Sequence, residues 1–169
     1  MSPRLDPDRP EPGSTFDGRI GEHFKLSTGS VVSVGPLREK IIAAGAPLVQ
    51  DVVVAGIDRS DVGILLFMRL DACRDFCGLA DNVPTHIALG HPHLRAFLQR
   101  LVDALHATGS GSASRVARAL VLAEPPSIDH GEVTDKGSID PAAVLAGRAA
   151  DVARLYAGRD RDVIVPQPA

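Results

Sequence analysis

Apolar and polar positions change period several times along the chain, and the changes mark its elements. Phe24 and Leu26 flank Lys25 at a spacing of two, the period of a strand whose faces differ. Thr28-Gly29-Ser30 interrupts the run, Val32 and Val34 resume it, and Gly35-Pro36 closes it. This predicts a hairpin within residues 16–38. Leu37, Ile41 and Ile42 predict a short helix ending at Gly45, which Pro47 forbids from continuing. Residues 48–57 (LVQDVVVAGI) and 62–70 (VGILLFMRL) read as strands, the second apolar enough to be central. The short polar turn between them favours an antiparallel pair. Asp71 is placed to cap a helix holding Cys73, Phe76 and Cys77, and 78–84 reads as loop. His91-Pro92-His93 opens a clear helix whose apolar stripe is Leu94, Leu98, Leu101, Val102 and Leu105. GSGSAS at 109–114 reads as a linker before a third strand at 116–123. Asp140 and Pro141 predict the cap and first residue of a final helix, with Val144, Leu145, Val152, Leu155 and Tyr156 as its apolar face. The proline-rich, charged residues 1–15 read as a disordered linker, and 159–169 as a tail. The expected fold is α+β: one domain over 16–158, with a small mixed or antiparallel sheet, a β-hairpin and packed helices.

Composition narrows the function. A net charge of −3 gives no basic field for nucleic acid or an anionic membrane. Aromatics at 4%, with no Trp, leave little for base stacking. No apolar run has the length of a membrane span, and MSPRLDPDRPEPGS lacks the apolar centre of a signal peptide. Cys73 and Cys77 stand one helical turn apart without further ligands at metal-binding spacing, so they read as two reduced thiols of a cytoplasmic protein. His91 and His93, two apart at a helix start, do not share a face and read as solvated or capping histidines.

Residues 16–38, FDGRIGEHFKLSTGSVVSVGPLR, carry more than a hairpin pattern. They resemble the hinge region of adenylate-forming acyl-CoA synthetases, where a Gly-Arg pair leads to a hinge residue, a lysine and a glycine turn. The matching residues are Gly18, Arg19, Gly21-Glu22, Lys25 and Gly29. Gly21 stands where many members have Asp or Lys. The wording FKLSTG and VSVGPLR is similar to feruloyl-CoA synthases. The resemblance runs from about Phe16 to about Tyr156 and covers only that family's small C-terminal domain and the end of the linker before it.

A second stretch, GEVTDKGSI at 131–139, is polar, glycine-flanked and placed just before the last helix. The family carries a lysine there, and Lys136 takes the corresponding place. The common order is Thr, two residues, Gly, then Lys. Here Thr134-Asp135-Lys136-Gly137 sets the lysine before the glycine, and alignment on Thr134 puts Ser138 at the lysine position. Lys136 is preferred because no other lysine lies near.

The resemblance implies two half-reactions: a carboxylic acid and ATP give an acyl-adenylate, and coenzyme A then takes the acyl group. Lys136 would serve adenylation. Lys25, Thr28 and Gly29 would serve the thioester step at coenzyme A. Arg19 would lie near the nucleotide, and Gly21 and Glu22 would form the hinge. The acyl pocket, the ATP loop and the Mg²⁺ site would lie in an N-terminal adenylation domain absent from this chain. The implied acid is of the hydroxycinnamate type, and this stretch alone would be inactive. Two other readings are a stand-alone binding or regulatory module that kept the fold without catalysis, and an unrelated α+β protein.

Overall fold

The computed structural model describes residues 23–57, 59–109, 111, 114–157 and 162–167. The expected linker at 1–15 lies outside them.

The chain opens on the expected hairpin. Strand β1 (His23–Lys25) pairs antiparallel with β2 (Val31–Ser33), with Phe24 opposite Val32. The helix that follows, α1 (Val34–Gly45), starts earlier than the sequence suggests. Gly35-Pro36 ends the strand but lies inside the first helical turn, where proline has no intrahelical N–H bond to lose. Val34, Leu37, Ile41 and Gly45 form the buried face of α1. Arg38 clamps this helix to the sheet, donating from Nε and Nη2 to the two carboxylate oxygens of Asp51 at 2.8 Å each.

Four strands form the main sheet: β3 (Val49–Ala55), β4 (Val62–Met68), β5 (Val116–Leu122) and β6 (Val163–Ile164), in that spatial order. The expected antiparallel pairing of β3 with β4 is present. β5 runs parallel to β4, and β6 adds a short antiparallel edge. The stretch expected to be a tail from residue 159 therefore supplies a strand. A parallel neighbour needs a long crossover. It is supplied by α2 (Leu70–Cys77), α3 (Thr85–Leu89) and α4 (Pro92–Thr108). α3, unforeseen from sequence, is one short turn. Arg69 takes the N-cap position of α2 without a side-chain capping bond, and the expected cap Asp71 is exposed in the first turn instead. α4 buries the five residues of the expected stripe. Its cap is His91, whose Nδ1 accepts from the His93 N–H at 3.1 Å. Cys73 and Cys77 share the buried face of α2 as free thiols, and burial pushes Cys73 up to about 11.

Every residue of β4 is buried, so both sheet faces must be covered. One face meets α1, α2, α4 and the hairpin, in a core that includes Leu26, Val32, Ile64, Leu66 and Leu98. The other meets α5 (Pro141–Gly147) and α6 (Ala149–Ala157), through Val53, Leu65, Phe67, Leu120, Val144 and Leu155. The single last helix expected from sequence is two, broken at Arg148 (φ −115°, ψ 36°). Asp140 caps α5 as expected, accepting from the N–H groups of Ala142 and Ala143.

The close approach of α6 to β4 requires Gly63. A Cβ there would lie 2.6 Å from Leu155 Cδ2, 3.0 Å from Arg118 Cγ and 3.1 Å from the Tyr156 hydroxyl. Gly63→Ala is expected to destabilise the fold by about 1–3 kcal/mol through overpacking. Gly35→Ala meets open space in α1 and is expected to be neutral or stabilising by up to ~1 kcal/mol. Urea midpoints of the two variants check the contrast.

Candidate functional site

The hairpin turn is built by two close contacts. Leu26 donates to Ser30 O and Gly29 to Leu26 O, each at 2.9 Å. Gly29 has φ +91°, which admits glycine with least strain. Lys25 and Thr28 are exposed beside it, while Phe24, Leu26 and Val32 root the hairpin in the first core. Ser27 also donates to Arg59 O at 2.8 Å, which ties the turn to the loop between β3 and β4. That loop is in turn held to α6. The Arg59 and Arg118 guanidinium groups lie 4.6 and 4.9 Å from the centre of the Tyr156 ring. Arg118 pairs with Asp61 at 3.1 Å, and the Tyr156 hydroxyl donates to Asp61 O at 2.8 Å. Burial, and secondarily the Asp61 charge, push the Tyr156 phenol up to about 12.

Lys136 lies on a second tight loop. Val133 and Ile139 form an antiparallel bridge. Between them Thr134 donates to Ser138 O at 2.7 Å, Gly137 donates to Thr134 O at 2.9 Å, and the Ser138 N–H donates to Thr134 Oγ1 at 3.2 Å. Gly137 has φ +82°, so this glycine makes the reversal that carries Lys136 outward. Lys136 is exposed, and Ile139 at the loop's foot packs on the second core. The structure thus groups Lys25, Thr28 and Gly29 on one hairpin and does not bring Lys136 to them. The two groups are rooted in cores on opposite faces of the sheet. Gly18, Arg19, Gly21 and Glu22 lie outside the described residues.

Beneath the Lys136 loop is an ion pair that sequence reasoning missed. Glu132 is 2% exposed, and Arg148 grips it with two bonds: Nε to Oε2 and Nη2 to Oε1, each 3.0 Å. Glu132 Oε1 also accepts from the Ser127 N–H at 2.8 Å. Arg148 donates further to the carbonyls of Glu124 (3.2 Å) and Pro125 (2.9 Å), and its guanidinium lies 5.2 Å from the Phe67 ring centre. The hydrogen bonds from Arg148 hold the Glu132 carboxyl below its usual range, against desolvation, and Glu132 raises Arg148 in return. The pair lines a cleft of about 700 Å³ with Glu124, His130, Gly147 and Asp151 around it. A glutamate between Gly131 and Val133 looks like loop surface. The one available signal was Gly147-Arg148 interrupting an apolar helical run.

A glutamate with a lowered folded pKa contributes stability that is complete above its ordinary value of 4.5 and fades as pH falls through the lower folded value. Glu132→Gln is therefore expected to leave the slope of the stability profile between about pH 7 and pH 4.5 unchanged and to flatten its fall below pH 4.5. Arg148→Ala, which strands a buried carboxylate, is expected to cost about 3–5 kcal/mol near neutral pH. Chemical denaturation across that pH range measures both.

Comparison with known proteins places this geometry. Two solved structures share the fold: the A domain of carboxylic acid reductase from Segniliparus rugosus, in complex with AMP and a co-purified carboxylic acid (24% identity, TM-score 0.53), and the adenylation domain of the carboxylate reductase from Mycobacterium chelonae (21% identity, TM-score 0.52). Each alignment covers 82% of this chain and 20% of the other, so the chain spans about a fifth of those proteins' length. No curated protein matches it. Residues 22–160 match the model of the AMP-binding enzyme C-terminal domain, and the chain belongs to that family.

Proposed function

We propose that this chain is the C-terminal domain of an enzyme that activates a carboxylic acid as its acyl-adenylate and passes the acyl group to a thiol. The observation that carries the reading is the pair of lysine-bearing loops rooted in opposite faces of one sheet. A small domain built this way can offer one loop to an active site, turn, and offer the other. Adenylation places added negative charge on the α-phosphate, and an ammonium held by a tight loop stabilises it without reorganising. Lys136 fits that task. The Gly29 turn, with no side chain of its own, lets a backbone approach a slender thiol-bearing arm such as that of coenzyme A. Lys25 and Thr28 flank that approach.

The finer reading is an acyl-CoA ligase of the feruloyl-CoA synthase kind, acting on an aromatic acid in the cytoplasm. It is supported by the wording of residues 24–38 and by the TDKGS stretch. ATP, Mg²⁺ and the acid would be held by a large N-terminal domain, with Arg19 near the nucleotide and Gly21-Glu22 as the hinge. The S. rugosus A domain was solved with AMP and a co-purified carboxylic acid, the two parts that an acyl-adenylate joins.

In the enzyme carrying this chain, Lys136→Ala is expected to slow adenylation on the order of 100- to 1000-fold and to leave thioester formation from preformed adenylate nearly unchanged. Lys25→Ala should do the reverse. Arginine at 136 should rescue only partly, since a wide planar head replaces a compact charge. Pyrophosphate release and thioester formation, measured separately with ferulate and coenzyme A, decide it. Equal slowing of both halves by both variants would reject the division of labour, and pyrophosphate release unaffected by Lys136→Ala would reject its role.

A further inference from the structure

We propose that the buried Glu132–Arg148 pair is a positioning device for Lys136. It would set the height and direction of the lysine loop and so the rate of adenylation; the inference rests on the role proposed above for Lys136.

The reason is where the pair's bonds go. Residues 123–140 join β5 to α5 with little regular structure, and Ile128 within them is 76% exposed, so packing holds this segment weakly. Arg148 sits at the break between α5 and α6. From that one position it holds the start of the irregular segment after β5 through Glu124 O and Pro125 O, and the near foot of the lysine loop through Glu132. Glu132 is tied by its main chain as well: its N–H donates to Ser127 O at 2.9 Å, and its carbonyl accepts from Asp140 N at 2.8 Å. Asp140 is the far foot of the loop and the cap of α5. Both feet of the Lys136 loop therefore meet at Glu132. The residue next to it, Val133, bridges to Ile139.

The chemistry of the pair fits positioning better than bulk stability. Apolar residues of the same volume would fill the site at equal or lower free energy, because two desolvated charges are costly. Apolar packing fixes distance but leaves rotation loose. A two-bond guanidinium–carboxylate fork fixes both. Although the pair lines the cleft, its bonds are spent inward, on each other and on the Ser127, Glu124 and Pro125 main chain, and the Glu132 and Arg148 side chains are only 3% and 10% exposed. Its effect must pass through Lys136, and a displacement near 1 Å of a catalytic group costs roughly 100-fold in rate.

The test is a double-mutant cycle in the enzyme carrying this chain, with wild type, Glu132→Gln, Lys136→Ala and the double variant. Pyrophosphate release and thioester formation from preformed adenylate are read separately. Glu132→Gln is expected to slow adenylation about 10-fold or more in kcat, with thioester formation within about 2-fold. Added to Lys136→Ala, it is expected to cause no further loss, because the group it positions is gone. A full additional loss in the double variant, or equal slowing of both halves, would overturn the positioning role. Lys136→Ala without effect on adenylation would overturn the functional reading instead. If Glu132→Gln does not fold, Arg148→Lys, which keeps the charge and loses the fork, takes its place in the cycle under the same criteria. Amide exchange on the 169-residue chain gives a readout free of activity. The variant should speed exchange at Thr134, Gly137 and Asp140 selectively, with β4 and α4 unchanged. Uniform acceleration would mark the pair as merely structural and overturn the proposal.

Discussion

The strand Val62–Met68 has no exposed residue, and most of the architecture follows from that constraint. A strand buried on both faces needs a neighbour on each side and a layer above and below. β3 supplies one neighbour through a short turn, and β5 supplies the other in parallel. The parallel pairing forces a long crossover, which becomes α2, α3 and α4 on one face. The chain left after β5 has to cover the other face, and α5 and α6 do so. The hairpin and the lysine loop thus come to opposite faces because a central strand has two faces to cover.

Each loop is fastened in its own way. The hairpin is short, so its position depends on Phe24, Leu26 and Val32 packing into the first core, and on Ser27 bonding to Arg59 O. The lysine loop follows a long irregular segment and depends on a buried ion pair. An arginine joins the two regions indirectly: Arg59 offers its carbonyl to the hairpin turn and its guanidinium to Tyr156 of α6. Contact between the β3–β4 loop, the hairpin and α6 therefore runs along one edge of the domain.

The cysteines and the histidine pair have structural surroundings. Cys73 sits in a dry core that holds it protonated, where a thiol behaves as a small apolar residue. His91 spends its Nδ1 on the helix N-terminus, and its ring lies edge-on to that of His93 at 5.0 Å between centres. The cysteines, read from sequence as reduced thiols, are free and buried, and His91 caps its helix as one of the two expected readings had it.

What the sequence by itself determined was local. The alternation around Lys25, the apolar run of β4, the stripe of α4 and the Asp140-Pro141 helix start are each contained within a few residues, and each reflects a periodicity or a cap that neighbours alone can impose. The same holds for the glycine turns that present Lys25 and Lys136, since Gly29 and Gly137 are needed for their own backbone angles. The tertiary structure alone decided the rest. Val163–Ile164 became a strand because β5 had an unpaired edge. The last helix broke because Arg148 had to reach Glu132, sixteen residues back in the chain. Tyr156 and Arg118 met Asp61 across gaps of 95 and 57 residues. A buried charge is legible only once its counter-charge is in place, because the cost of desolvation and the partner that offsets it come from different parts of the chain.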